Sequence, residues 1–217
     1  GHVVAYEALM RPQLPTLRSP LTVMQLASEM GRLYDIEKLT FFRACECYEE
    51  LEAVGKLDAD ALIFVNSIAS VSLSDEDWAS YCEAHSAILP KLVVEITEEE
   101  EMNERELERK RNVPGSSGVF ALDDYGSGYS NGNSLLTIAP KYVKVDIAII
   151  RGIDTDADKQ QFLMTLIDYA HPRGVQVLAE GVETLSELRK VLEMGVDLLQ
   201  GLSLIHISEP TRHSLIS

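Results

Sequence analysis

The chain has 217 residues, of which 46% are hydrophobic and 25% are charged. That is enough apolar material for the buried core of one globular domain. The formal net charge of −16 argues against nonspecific binding to nucleic-acid polymers, which depends on a basic surface. Every apolar run is shorter than the roughly 18 residues that a membrane-spanning helix needs. Three cysteines without paired C-x-x-C spacing fit reduced thiols in a cytoplasmic domain.

Strand-like and helix-like segments alternate along the chain. A strand-like run opens it, and helices are predicted from Pro20 to about Leu33 and from Asp35 to Leu51. Later helices are expected after residues that can cap them, and some of these caps directly follow a strand-like run. The capping residues are Ser74, Thr97 with Glu100, Asp156, and Thr184 with Glu187.

Seven apolar runs end in a residue that can bind a metal ion or move a proton. In parallel α/β folds ligands bind at the carboxyl ends of the strands, and closed barrels build their sites from several strand ends at once. These seven ends therefore predict a single functional site. The residues are Glu7, Asn66, Glu95, Asp123 with Asp124, Lys144 with Asp146, Glu180, and Gln200.

The alternation of strands and helices predicts right-handed βαβ units and a mainly parallel sheet. We favour an α/β fold of the TIM-like (β/α)8 barrel type, because polar residues stand at nearly every strand end. An open doubly wound sheet is the alternative, but it would gather its ligands at one switch point. Seven strands are visible in the sequence, one fewer than an eight-stranded barrel contains.

Several of the polar residues also have a structural explanation. Asn66 could be a turn residue, and Lys144 could form a structural salt bridge with neighbouring acids. Asp146 could share the face of Lys144 or cap the following segment, and the spacing does not choose between these roles. Glu183, in the segment that follows Glu180, is expected to serve the start of the next helix.

Other strand ends are harder to explain without a bound cation. Glu95 follows three apolar residues and would be costly to bury unpaired, and the adjacent Asp123 and Asp124 would repel each other. Carboxylates and one amide, without histidine or cysteine, suit a hard cation such as Mg²⁺ or Mn²⁺. Two such ions about 3.5–4 Å apart can activate water and stabilise phosphoryl oxygens. The residues thus indicate metal-assisted chemistry on an anionic substrate.

Seven motifs resemble those of the EAL domain family in order and approximate spacing. The resemblance spans residues 3 to 201, and the motifs read YEALMR, FVNSIAS, VEITE, ALDDYGSGYS, YVKVD, AEGVET and LLQG. Active members of that family hydrolyse cyclic di-GMP, so the resemblance implies metal-dependent hydrolysis of this dinucleotide to linear pGpG. It also implies two ions, Mg²⁺ or Mn²⁺, as cofactors. The alternatives are an inactive cyclic di-GMP receptor or protein-interaction module, and a different metal enzyme such as an enolase-like lyase.

The resemblance implies a role for each matching residue. Lys144 would hold the attacking water and Glu180 would be the general base, which makes these two the catalytic residues. Glu98 would stabilise the loop that follows Asp124. Substrate contacts are implied for Leu9, Arg11 and Gln200. Metal ligands are implied at Glu7, Asn66, Glu95, Asp123 and Asp124.

The resemblance further implies a homodimer that forms near the DDYGSGYS loop, residues 123–130. It also makes the expected missing strand the first of the barrel, so the chain is interpreted as a fragment of a longer protein. The EAL region is expected to cover residues 1–201, and residues 202–217 resemble the translation of a sequencing adaptor rather than native protein. A genuine amphipathic tail is the alternative. The location is expected to be cytoplasmic, and the full-length protein could be anchored to a membrane through segments upstream of this fragment.

Overall fold

The computed structural model describes residues 2–13, 19–58, 60–97, 104–127, 133–201 and 215–216. These residues form two compact units. Within the described residues, the first unit comprises 2–7, 97, 120–127, 133–201 and 215–216. The second unit comprises 8–13, 19–58, 60–96 and 104–119.

The described residues alternate between strands and helices, as the sequence predicts. The strands are β1 Ala5–Ala8, β2 Leu62–Asn66, β3 Leu92–Thr97, β4 Val119–Tyr125, β5 Tyr142–Val145, β6 Gln176–Ala179, β7 Leu198–Leu199 and β8 Leu215–Ile216. The helices are α1 Pro20–Glu29, α2 Leu33–Ala53, α3 Asp75–Ala84, α4 Glu104–Arg111, α5 Asn133–Ile138, α6 Ile147–Ile150, α7 Ala157–Ala170 and α8 Leu185–Met194. Short 3₁₀ turns cover Leu89–Lys91 and His171–Arg173.

Most of the predicted helix caps are present. The Ser74 hydroxyl accepts a hydrogen bond from the amide of Asp77, and Asp156 caps α7 in the same way. Thr184 and Glu187 form the predicted capping box of α8. The pattern expected at Thr97 and Glu100 falls partly outside the described residues, since Glu100 is not among them.

The first unit contains a run of parallel strands. β4 pairs with β5, β5 with β6, and β6 with β7, all in parallel register. The carboxyl ends of these strands therefore lie at the same edge. β1 pairs antiparallel with β8 through Ala5 and Tyr6. Of the segment 202–217 that was expected to be an adaptor-derived tail, residues 202–214 and 217 lie outside the described residues.

In the second unit, α2 packs against β2, which pairs in parallel with β3, and α3 packs against α2. Buried residues of α2 recur at helical spacing, at positions 37, 41, 44, 45 and 48, and so form one face. Phe41 packs edge-on against Trp78 and Tyr81 of α3, with ring centroids 5.4 and 5.8 Å away. The register of the two strands places Asn66 beside Glu95.

None of the helices in the described part of the chain is both long enough and apolar enough to cross a bilayer.

Candidate metal centre

In the first unit, the predicted strand-end residues lie near or directly after the carboxyl ends of the strands. β4 is apolar through Leu122 before it reaches Asp123 and Asp124, and Lys144 is the third residue of β5. Glu180 directly follows β6, and Gln200 directly follows β7. Because these strands are parallel, their polar ends converge at one edge.

Lys144 lies at the centre of this group of acids. Its side chain is 1% exposed, and its Nζ is 2.8 Å from Asp123 Oδ1, 2.9 Å from Glu180 Oε1 and 3.4 Å from Glu7 Oε1. One ammonium thus faces three carboxylates. If all three were ionised, two negative charges would be left in a buried place, which favours a cation or a proton there.

Glu180 is the carboxyl group whose acidity this environment changes most clearly. Burial raises the pKa of Glu180 to about 7; the Lys144 ammonium opposes that rise, whereas the carboxylates of Asp123 and Glu7 add to it. A carboxyl group with a pKa near neutrality can accept and release a proton under physiological conditions. The geometry therefore suits Glu180 to acid–base chemistry.

Asp124 has an unusual backbone conformation. Its φ of 55° lies in the left-handed region, and the register of β4 against β5 shifts between Leu122 and Tyr125. This irregularity occurs where two successive aspartates lie near the carboxyl end of β4. Single carboxylate oxygens of Asp123, Asp124 and Glu180 all lie within 4.8 Å of one another. Three hard oxygen donors at that spacing fit a divalent cation.

Gln200 adds an oxygen acceptor to the same unit. Its Nε2 donates a hydrogen bond of 2.7 Å to Glu7 Oε2. Its Oε1 is buried and has no hydrogen-bond partner among the described residues. A buried amide oxygen of this kind calls for a donor or a cation, because leaving it unsatisfied is unfavourable. The residues present therefore fit a hard metal ion.

In the second unit, Asn66 and Glu95 form a pair. The Asn66 Nδ2 donates a hydrogen bond of 3.2 Å to Glu95 Oε2, and Glu95 is fully buried. The amide of Ser67 donates to the main-chain oxygen of Glu95, which extends the strand pairing by one residue. Asn66 is thus more than a turn residue, because its side chain is held by a buried carboxylate.

The remaining residues that were expected to contact the substrate or stabilise the loop are either exposed or outside the described part of the chain. Leu9 is 37% exposed, and the exposed Arg11 donates from its Nη1 to the main-chain oxygen of Met10. Glu98 lies outside the described residues, as do residues 128–130 of the DDYGSGYS loop.

Two roles that the sequence left open or misjudged become clear. Asp146 caps α6, because its Oδ1 accepts a hydrogen bond of 2.7 Å from the amide of Ala148. The expectation that Glu183 serves the start of α8 is wrong. Its carboxylate pairs with Arg151, whereas Glu187 accepts the amide hydrogens of residues 183 and 184.

Two glycines that were not among the predicted site residues allow close packing around the strand ends. A Cβ at Gly201 would lie 2.3 Å from the main-chain oxygen of Val182, and a Cβ at Gly181 would lie 2.4 Å from the side chain of Ile147. Each glycine adjoins a residue of the site, Gln200 or Glu180. Their positions directly after those residues were the signal that could have revealed them.

Fold and site together define an α/β protein whose parallel strands end in a buried, acidic, oxygen-rich group suited to a divalent cation. The chain belongs to the EAL domain family, which matches residues 1–206. This confirms the resemblance seen in its motifs.

One similar protein is named for an activity on cyclic di-GMP. The chain is 32% identical over 189 residues to PdeG of Escherichia coli, named as a probable cyclic di-GMP phosphodiesterase, and the match covers 84% of the chain and 37% of PdeG. The chain thus spans about a third of the length of the curated relatives that it matches.

Solved structures show the same fold. The PaMucR phosphodiesterase in complex with c-di-GMP superposes with a TM-score of 0.78 at 23% identity, over 99% of this chain and 86% of that one. BlrP1 of Klebsiella pneumoniae, in a complex with manganese and cyclic di-GMP, gives a TM-score of 0.75 at 23% identity, over 99% of this chain and 53% of that one. The similarity confirms the predicted fold class, an α/β fold of the TIM-like barrel type.

Proposed function

We propose that this chain hydrolyses cyclic di-GMP to linear pGpG in the presence of Mg²⁺ or Mn²⁺. The observation that carries the proposal is the group around Lys144, in which three carboxylates lie within 3.4 Å of one buried ammonium. Membership of the EAL family and the name of the relative PdeG support the same substrate.

The proposed metal ligands are the residues that match the family motif. In the first unit the donor set suits hard cations, since it consists of carboxylates with a buried amide oxygen nearby. When bound, a pair of divalent ions would offset the charge of the phosphodiester and lower the pKa of water. The proposed ligands are Glu7, Asp123 and Asp124 in the first unit and Asn66 and Glu95 in the second.

The proposed catalytic residues act on the attacking water. Glu180 accepts its proton, and the pKa of about 7 that this carboxyl group has in the metal-free protein lies in the range where a general base is effective. Lys144, fixed by its three acidic neighbours, orients the water for in-line attack on one phosphodiester bond. The bond to the leaving ribose oxygen breaks, and the ring opens to pGpG. Arg11, Leu9 and Gln200 are proposed to contact the substrate, and Glu98 to stabilise the loop after Asp124.

Incubation with cyclic di-GMP, with and without Mn²⁺, tests the proposal, with products separated by liquid chromatography. We expect pGpG to form with the metal, and Glu7→Ala to abolish its formation. Glu193→Ala is the matched control, because Glu193 is an exposed acid that pairs with Lys190 on the surface. It should retain wild-type turnover.

Three other results would each contradict the proposal. Binding of cyclic di-GMP without cleavage would indicate a receptor, and neither binding nor cleavage would indicate a different ligand. Undiminished hydrolysis by Glu7→Ala would show that Glu7 is not a required metal ligand.

A further inference from the structure

A second buried ion pair lies in the second unit and is formed by two residues to which no role has yet been assigned. Glu37 of α2 and Lys110 of α4 are 1% and 2% exposed, and Lys110 Nζ lies 2.5 Å from Glu37 Oε1. Desolvating two charges is so unfavourable that such a pair is weak evidence of a gain in stability. The role of the Glu37–Lys110 pair is therefore sought in its contacts with other residues.

Those contacts converge on the two residues that directly follow Asn66. Lys110 Nζ donates to Ser67 Oγ at 2.5 Å and to the main-chain oxygen of Ile68 at 2.7 Å. Glu37 accepts from Ser67 Oγ at 2.6 Å and from the amide of Ile68 at 2.8 Å. Both polar main-chain groups of Ile68 and the hydroxyl of Ser67 are thus held by charged side chains.

This network fixes the carboxyl end of β2. Ser67 also donates its amide to the main-chain oxygen of Glu95, and Asn66 is the register partner of Glu95. The chain beyond Asn66 is therefore tied to β3 on one side and to the Glu37–Lys110 pair on the other. Charge-assisted hydrogen bonds are stronger than neutral ones, so they restrict the backbone more closely.

We propose that Glu37 and Lys110 are positioning residues that hold Asn66 in the orientation required of a metal ligand. The inference rests on the proposed function, in which Asn66 binds the ion. Residues that orient metal ligands without touching the metal typically change metal affinity by about 10–100-fold when they are replaced. Here the ion pair acts through the backbone of Ser67 and Ile68, and contributes no ligand atom of its own.

The test measures Mn²⁺ affinity by isothermal titration calorimetry in the absence of nucleotide. The double substitution Glu37→Met with Lys110→Met removes both charges, so that neither remains buried and unpaired. We expect a folded protein that binds Mn²⁺ about tenfold more weakly than the wild type. Ser67→Ala is the milder variant, because it keeps the ion pair and removes only the hydroxyl between the two charges. It should weaken Mn²⁺ binding measurably, but less than the double substitution does.

Tyr48→Phe is the matched control. The hydroxyl of Tyr48 is buried and donates a hydrogen bond of 2.7 Å to the main-chain oxygen of Ala61, just before β2 begins. This variant therefore loses a buried hydrogen bond at the opposite end of the same strand. Its midpoint of urea unfolding should fall, whereas its Mn²⁺ affinity should stay within about twofold of the wild type.

The outcomes separate this inference from the function on which it rests. Wild-type Mn²⁺ affinity in the folded double variant would overturn the positioning role, and so would wild-type affinity in Ser67→Ala if the double variant does not fold. An equal loss in Tyr48→Phe would show that general damage to β2 is responsible, and would also overturn it. If the wild type itself fails to bind Mn²⁺, the proposed metal site is wrong and the positioning role falls with it.

Discussion

At the scale of single residues, the environment of Glu180 determines what it can do. The same carboxyl group lies beside a lysine that favours its ionised form and beside two acids that oppose ionisation, in a place largely shielded from water. Burial prevails, and the pKa rises to about 7. A pKa near neutrality suits the proposed role of Glu180, which is to accept a proton from water and release it again.

The raised pKa of Glu180 predicts that the metal-free protein becomes less stable as pH rises. The carboxyl group takes up protons below about 7 in the folded chain, against an ordinary value of 4.5, so between these values the folded state binds more protons than the unfolded state. The contribution of Glu180 to the free energy of unfolding should therefore decrease from about pH 4.5 to about pH 7, by up to about 3 kcal/mol.

Urea unfolding in the presence of a chelator, at four values from pH 5 to pH 8, measures this effect. Glu180→Gln cannot ionise and should show a flatter dependence on pH than the wild type. Glu193→Gln, at an exposed site, should follow the wild-type curve. Parallel curves for the wild type and Glu180→Gln would contradict the raised pKa.

At the scale of elements, the strand ends were predictable from the sequence, but some of their surroundings were not. Apolar runs that stop at a polar residue are visible along the chain, which is why Glu7 and Glu180 could be identified as candidate site residues. The pairing of Glu37 with Lys110 joins residues far apart in sequence, on two helices, and no periodic pattern reveals it. The role of Asp146 depended on whether a helix begins after it, and spacing alone does not show that.

The segment after β7 depends on a close approach between two backbones. Gly201 lies where a Cβ would be 2.3 Å from the main-chain oxygen of Val182, whose own amide donates to the main-chain oxygen of Gln200. Gly201→Ala should push these two segments apart, displace Gln200 and destabilise the fold by about 1–3 kcal/mol. We also expect weaker Mn²⁺ binding, because the amide of Gln200 holds the carboxylate of Glu7.

Gly55→Ala separates the steric effect from a general effect of replacing glycine. A Cβ at Gly55 meets nothing within 4 Å, although its φ of +68° makes alanine unfavourable there. This variant should lose stability and keep wild-type Mn²⁺ affinity in calorimetry. If Gly201→Ala also binds Mn²⁺ normally, the contact with Val182 does not position the site.

At the scale of the whole molecule, the net charge of −16 opposes the approach of an anionic dinucleotide. Salt screens such repulsion, since the Debye length falls from about 30 Å at 0.01 M to about 10 Å at 0.1 M. At saturating Mn²⁺, kcat/KM for cyclic di-GMP should therefore rise severalfold as NaCl increases over this range. Steady-state kinetics at fixed Mn²⁺ and a series of salt concentrations measure it. A steep decrease would show that local positive charge dominates the encounter instead.

The buried Lys144 gives the site a counter-ion of its own. Because an ammonium attached to the chain already faces Asp123, Glu180 and Glu7, it offsets part of their negative charge when divalent cations are scarce. We therefore expect folding not to require the metal, unlike in small zinc domains that unfold without their ion. A chelator should thus leave a folded protein without hydrolytic activity. The supply of Mg²⁺ or Mn²⁺ would then control the proposed hydrolysis of cyclic di-GMP.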